Sequence, residues 1–339
     1  MAHLVNIQGG RNKTSLVYVL VSCPKDIFYE QTLISAWSAR HWNPDMKILL
    51  VVDELTDAGL IGNRTALTDL VDEKIVIDLS EGGKANYTNK ERSRILKSNL
   101  RSYVEGDILY IDSDTVVCGS LAETDSWEIP FGAVQDGHSK YDPKHCPNPV
   151  VQRAALIGYD VCNAENYFNS GVMYMKDCPE VRAFAKDWYR LYTIGQKRGV
   201  TYDQPSLLAT DTIHNLIRPL DGIYNCQILN GGLPYLAEAK ILHYYNILWG
   251  DSSLYALANP SLYARIKEYG ILDDETKQMI LSAKRQFVGE YALVYGRRLS
   301  YWHSSLHHLY FDSPKLFGVC EALSKVLLKI RRLYKALTK

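Results

Sequence analysis

The stretch of the chain best equipped for chemistry is Asp107–Leu121, DILYIDSDTVVCGSL, in which an apolar β-rich run passes straight into Asp112-Ser113-Asp114. Carboxylates at i and i+2 of an extended chain lie on one side of it. Two carboxylates so placed can share a hard divalent cation, which takes oxygen ligands and keeps phosphate oxygens among them. A bare Asp-x-Asp is more often a solvated turn, and the strand leading into this one is what favours a metal. A third ligand must come from far along the chain. His243 stands out because it ends a short apolar strand, Lys240–Leu242, and imidazole suits Mn²⁺ as well as zinc. Taken alone, a histidine after a strand is more often structural. His303, His307 and His308, in a helical stretch, form a competing and weaker metal cluster.

Such side chains need a frame. Ser15–Ser22 (SLVYVLVS) and Lys47–Val52 (KILLVV) are continuous apolar runs, the pattern of strands buried on both faces. Further strands are expected at Lys74–Leu79 and Asp107–Ile111, with helices at 27–42, around 64–72, and at 90–104, 180–198 and 202–211. Strands alternating with helices predict a mostly parallel α/β sheet, whose ligands gather at the carboxyl ends of the strands. Ser22 and the Asp112–Asp114 triplet are two of those ends. Pro130 to Tyr167, rich in Pro, Gly, Asp and His, is expected to be loop over the site. Asn246 to Pro260 reads as a connector, and 261–339 as mainly helix with no clear strand.

Composition narrows the class. Of 339 residues 47% are apolar and 22% charged, enough for a real core in one large domain or two small ones. Lys+Arg and Asp+Glu both total 38, so no overall basic field points to nucleic acid. The seven cysteines are scattered and never in C-x-x-C spacing, which disfavours a zinc site or a disulfide framework and fits a reducing cytosol. Leu16–Val21 is too short for a signal core or a membrane span. A cytoplasmic protein is expected, and N-x-T triplets at Asn12, Asn63 and Asn86 carry little weight. No P-loop, dinucleotide glycine fingerprint, H-E-x-x-H or G-x-S-x-G occurs, which removes P-loop kinases, dehydrogenases, zincins and ordinary esterases.

The charge balance hides an asymmetry, because Phe311–Lys339 carries seven basic and two acidic residues. On a helix, Leu323, Val326, Leu327, Ile330, Leu333, Tyr334 and Leu337 fall within an arc of about 120°. Lys325, Lys329, Arg331, Arg332, Lys335 and Lys339 take the other side, with Leu328 the one intruder. A basic amphipathic helix of this kind suits an anionic membrane surface; a terminal helix docked on the domain is the bland alternative.

ILYIDSDTVVCGSL, NYFNSGVMYM (166–175), YDQPSLL (202–208) and LHYYN (242–246) occur in that order. Together they resemble the family 8 glycosyltransferases, retaining enzymes of the GT-A fold that include glycogenin and bacterial lipooligosaccharide galactosyltransferases. The likeness covers roughly residues 15–250. It implies a GT-A nucleotide-sugar-binding domain over 15–250, a Rossmann-like mostly parallel sheet flanked by helices, with a helical C-terminal region at 251–339. It also implies Asp112, Asp114 and His243 as ligands of Mn²⁺ (or Mg²⁺) against the diphosphate of a UDP-sugar, Asp112 and Ser113 being at the nucleotide. By the same resemblance Ser22 and Tyr29 line the uridine pocket. Arg94 and Lys97, three apart on one helix face, lie over the diphosphate, although without the family they read as a solvated face. Asp136 contacts the sugar, Asn169 bonds the hexose from beneath, and Gly171 allows close backbone approach. Asp203 accepts from sugar hydroxyls, and Gln204 sits near the anomeric carbon. One departure stands out: the family's Gly-x-x-Lys-Pro-Trp after the late histidine is here Tyr-Tyr-Asn-Ile-Leu-Trp249. Lys240, Lys97 or Arg94 must supply the missing charge, or donor binding is weakened.

The implied activity is metal-dependent retaining transfer of a hexose, glucose or galactose, from UDP to a sugar hydroxyl of a saccharide or lipid-linked glycan. A sugar nucleotidyltransferase is the alternative, and Ser22–Tyr29 lacks the Gly-rich loop it needs. A non-catalytic sugar-nucleotide-binding protein is a third possibility, suggested by the lost lysine.

Overall fold

The computed structural model describes residues 13–80, 87–139, 148–162, 164–228, 230–244, 255–286, 291–294, 298–301, 309 and 313–337. Strand β1 (Ser15–Leu20) is buried along its whole length: it has parallel neighbours on both edges, β2 (Ile48–Asp53) and β4 (Ile108–Ile111), and a packed core on each face. The outer strand β3 (Glu73–Ile77) alternates buried and exposed side chains, as an edge must. β4 is followed by β5 (Thr115–Val117), β6 (Phe131–Gln135), β7 (Phe168–Met175) and β8 (Ile217–Pro219). The main sheet runs β3-β2-β1-β4-β7-β6-β8, and β7 alone is antiparallel to its neighbours. The mostly parallel α/β sheet expected from the apolar runs is therefore present.

The helices follow local signals. Helix α1 (Phe28–Trp42) crosses from β1 to β2, and α2 (Glu54–Ala58) starts at the end of β2, where the Asp53 carboxylate accepts from the Thr56 amide at 2.8 Å. α3 (Asn89–Ser98) opens with a Thr88–Glu91 capping box. α4 (Asn148–Ile157), α5 (Pro179–Lys197) and α6 (Gln204–His214) follow, the last two with Pro in the first turn. The helix expected around 64–72 is instead a 3₁₀ turn, Gly62–Arg64, with further turns after it. Gly62 and the β-branched Thr65 and Thr68 disfavour a continuous helix there. The stretch from Pro130 to Tyr167 is not only loop, since it contributes β6 and α4.

Successive strand residues face opposite layers. Leu16, Tyr18, Leu20, Ile48, Leu50 and Val52 pack with α1, α7 (Pro260–Tyr269) and α8 (Asp274–Leu281). Val17, Val19, Leu49, Val51, Ile108 and Tyr110 pack on α3 and α5 through Ile95, Leu96, Phe184 and Trp188. A three-stranded sheet caps the C-terminal edge, β10 (Ile241–His243) lying between β5 and β9 (Cys226–Gln227). The C-terminal region is not helix alone: β11 (Tyr291–Val294) and β12 (Arg298–Tyr301) form an antiparallel hairpin before α9 (Pro314–Leu337). His303, His307 and His308 lie outside the described residues, as do Asn12, Asn86 and the 245–250 stretch with Trp249.

Candidate active site

Two strand pairings assemble the site. β4 pairs with β7, so the Asp112 amide donates to the Gly171 carbonyl at 2.7 Å and Asn169-Ser170-Gly171 lies beside the Asp-x-Asp turn. β10 pairs antiparallel with β5, with His243 opposite Thr115, and the Tyr244 amide donates to the Asp114 carbonyl at 3.1 Å. A histidine far along the chain is thus set next to Asp114 by sheet register. Ligand atoms of Asp112, Asp114 and His243 all lie within 4.8 Å of one another.

The orientation of His243 can be traced from the backbone outward. The Gly171 amide donates to Asn169 Oδ1 at 2.9 Å, which leaves Asn169 Nδ2 to donate to Asp136 Oδ1 at 2.9 Å. Asn225 Nδ2 donates to the same Asn169 Oδ1 at 2.9 Å, so Asn225 Oδ1 is turned to His243 Nδ1, also at 2.9 Å. Nδ1 must therefore carry the proton. Nε2 then faces Asp114 Oδ1 at 3.2 Å, and in the neutral ring both atoms are acceptors. A cation or a proton between them resolves the conflict. Burial opposes ionisation of Asp114, yet His243 holds its carboxyl below the usual range. Imidazole plus two carboxylates is a donor set that fits Mn²⁺.

Gly171 is required here by space. A Cβ on it would lie 2.2 Å from His243 Cε1 and 2.9 Å from Asn169 Oδ1. The space beside this glycine is taken by the His243 ring.

Beside the triad is a charge cluster. Lys97 Nζ is 3.1 Å from Asp112 Oδ1 and 3.3 Å from Asp203 Oδ2, and donates to Ser170 Oγ at 3.1 Å. Ser170 Oγ donates in turn to Asp203 Oδ2 at 2.8 Å, and Arg94 Nε is 3.4 Å from Asp203 Oδ1. Burial pushes Lys97 down, but Asp112 and Asp203 outweigh it and raise its pKa. Asp203, also opposed by burial, is held well below the carboxylate range by Lys97 and Arg94. Tyr110, which donates to Asp112 Oδ1, is driven well above the usual phenol value by burial and by that carboxylate. The Trp188 indole donates to the Asp203 carbonyl at 3.3 Å and anchors the turn into α6. Gln204 Nε2 donates to the Phe168 carbonyl at 3.2 Å and to Asp136 Oδ1 at 3.4 Å.

The triad, Lys97, Arg94, Tyr110, Ser170, Asp203 and Gln204 line a cavity of about 460 Å³ at the carboxyl ends of β1 and β4; Asp136, expected at the sugar, is not in its wall but is bonded to Asn169 and Gln204, which are. Its walls include Val19, Val21, Phe28 and Gln31 on one side, and Lys90, Arg94 and Lys97 of α3 on another. Asp112, Ser113, Asp114, Asn169, Gly171, Asp203, Gln204 and His243 are also in the wall, with Tyr202 among their neighbours, so most of the expected residues meet at one place. Ser22 and Tyr29 are not in its wall. Ser22 Oγ donates to Asp26 Oδ1 and accepts from Arg64 Nη2, each at 2.6 Å. Tyr29 is in the core under the Arg64 guanidinium, its hydroxyl accepting from the Leu67 amide at 3.3 Å. The neighbouring Phe28 takes the cavity position. Lys240 is also outside the wall, paired with Glu123, so the cations at the cavity are Lys97, Arg94 and Lys90. Tyr110 and Ser170 lie within the quoted motifs but nothing there singles them out, and Asn225 has no signal in the sequence.

Residues 96–250 match the model described as Glycosyl transferase family 8, a span holding the Asp-x-Asp turn, Asn169, Gln204 and His243. The match spans a little under half of the chain and supports reading it as a glycosyltransferase. A crystal structure described as galactosyltransferase LgtC in complex with donor and acceptor sugar analogs aligns at 16% identity and a TM-score of 0.45, covering 78% of this chain and 99% of that one. An active-site mutant of LgtC aligns at 15% identity and a TM-score of 0.46, with the same coverage. No curated protein matches the chain in sequence.

Proposed function

We propose that the protein is a divalent-metal-dependent, retaining hexosyltransferase. It moves glucose or galactose from UDP to a sugar hydroxyl of a glycan or glycolipid, using 15–250 as the catalytic domain and 251–339 as a C-terminal extension. The observation that carries this is the convergence of Asp112, Asp114 and His243, with His243 Nε2 turned toward a carboxylate oxygen by the Asn169–Asn225 chain. A Mn²⁺ or Mg²⁺ held by those three supplies positive charge to the departing diphosphate.

The remaining residues position and stabilise. Lys97 and Arg94, on the cavity wall, face charge that grows on the β-phosphate as the glycosidic bond breaks. Asn169, Asp136 and Asp203 orient the hexose by hydrogen bonds. Asp203 is engaged by Lys97, Arg94 and Ser170, and Gln204 is an amide, so neither offers a free carboxylate as nucleophile. Same-face attack by the acceptor hydroxyl fits this better, its proton passing to the departing phosphate oxygen.

The partner surface extends to a membrane. Among the described residues no helix is long and apolar enough to cross one. On α9, however, Leu323, Val326, Leu327, Ile330, Leu333 and Tyr334 are all more than half exposed, while Phe317 in the first turn packs against the core. With Lys325, Lys329 and Arg331 also exposed, the charge favours anionic headgroups, as suits an enzyme acting on lipid-linked glycans at the cytoplasmic face. Incubating the protein with UDP-glucose or UDP-galactose and Mn²⁺ tests the activity. Mass spectrometry should find free UDP and hexose from slow transfer to water; no UDP from any UDP-hexose, with or without saccharide acceptors, contradicts it.

A further inference from the structure

At the mouth of the cavity three cations converge on one aromatic ring. Lys90 Nζ lies 4.4 Å from the Tyr202 ring centroid, the Arg153 guanidinium 4.4 Å and the Arg94 guanidinium 5.8 Å. They come from separate elements, Lys90 and Arg94 from α3 and Arg153 from α4, while Tyr202 sits in the turn before α6 and is 40% exposed. Arg94 is matched by Asp203. Lys90 and Arg153 have no carboxylate partner among the described residues, and each packs on the ring. Glu91, the acidic neighbour on α3, is turned away to Thr88 and Gln196.

Like charges do not gather on one ring without cost. Lys90 and Arg153 are no further apart than twice their distance to it, and the ring quadrupole attracts each but does not cancel their repulsion. Chance surface cations spread apart and find acids; these are brought together next to Asp203 and Gln204, where the sugar end of the cavity lies on the reading above. A planar guanidinium and a flexible ammonium gathered on one aromatic ring suit a sugar that bears a carboxylate or a phosphate.

We infer that Lys90, Arg153 and Tyr202 form a subsite for an anionic group carried by one of the two reacting sugars. This rests on the glycosyltransferase reading and specifies its substrate class. The anion is either a uronate on the donor hexose or a carboxylate or phosphate on the acceptor.

Two arms of one experiment on the full chain separate these sources. In the first, UDP-glucose, UDP-galactose, UDP-glucuronate and UDP-galacturonate compete with labelled UDP in the presence of Mn²⁺. In the second, UDP release is followed with neutral, uronate-bearing and phosphorylated saccharides as acceptors. The subsite predicts a preference for the charged sugar in one arm, reduced on the order of tenfold in Lys90→Gln/Arg153→Gln. A preference in the first arm assigns the anion to the donor, and in the second to the acceptor. Equal use of charged and neutral sugars in both arms, or a preference the double variant keeps, overturns the subsite while UDP binding leaves the parent reading standing. Absence of UDP binding by the wild-type chain overturns both.

Discussion

Asn225 Oδ1 accepts from His243 Nδ1 at 2.9 Å, and this contact decides which nitrogen of the histidine faces the Asp-x-Asp pair. Both residues are buried, and Asn225 is itself fixed through Asn169 to the Gly171 amide. Asn225→Leu should leave the Nδ1 proton unpaired, costing about 1–3 kcal/mol. It should also weaken Mn²⁺-supported UDP binding by roughly 10–100-fold, the usual effect of losing an outer partner of a ligating histidine. Thermal unfolding and calorimetric titration read the two effects, and unchanged affinity in a folded variant removes Asn225 from the site.

Lys97 holds two carboxylates in place as well as lining the cavity. Lys97→Met should lower turnover more than it raises KM, since phosphate charge grows toward the transition state. It should also destabilise the fold by about 3 kcal/mol at pH 7, because Asp203 loses its nearer cation. Asp203 has a depressed pKa in the fold, so the stability it contributes is full above its unfolded value of about 3.9 and is lost as pH falls below that. The gap between wild type and variant should therefore be constant near neutral pH and shrink below about pH 4. A gap independent of pH contradicts the pairing, and wild-type kinetics returns Lys97 to a structural role.

His138 gives a second pH signature, of opposite origin. Burial lowers its pKa to about 4, and its Nε2 accepts from the Gln227 amide at 3.0 Å, as only an unprotonated nitrogen can. Between pH 6.5 and 4 the unfolded chain takes up a proton that the folded one refuses, so stability falls with pH by on the order of 3 kcal/mol. The residue sits at φ 50°, which Asn tolerates. In His138→Asn the melting temperature should fall less steeply over that range than in wild type. Parallel curves would show that His138 titrates normally.

How far the sequence discloses this protein depends on the kind of signal. Strands buried on both faces, β1, β2 and β4, are plain from uninterrupted apolar runs, and the strand before Asp112 gives that motif its context. His243 is visible because it terminates β10. The phase of α1 is hidden: Tyr29, Gln31, Thr32, Ile34, Ser35 and Ser38 are all buried, so no polar stripe tells Phe28 from Tyr29 as the cavity residue. Asn225 lies in a 3₁₀ turn whose partners are distant in sequence, and nothing local marks it. Turn-rich composition likewise masks β6 and α4, which tertiary packing fixes.

The tail makes a separate claim. Removing residues 320–339 should release the protein from anionic vesicles in a sedimentation assay at low salt and leave activity on a small soluble acceptor in place. Full-length protein that fails to sediment with such vesicles contradicts the membrane contact.

The central claim is that Asp112, Asp114 and His243 bind a nucleotide diphosphate through a divalent metal. Calorimetric titration of UDP into the full chain, with Mn²⁺ and with chelator, in wild type, Asp114→Ala and Asp114→Asn, tests it most directly. Wild type should bind UDP only with the metal, and both variants should stay folded and lose that binding, Asn nearly as fully as Ala because the amide lacks the charge. UDP affinity that is the same with chelator, or unchanged in both variants, would contradict it.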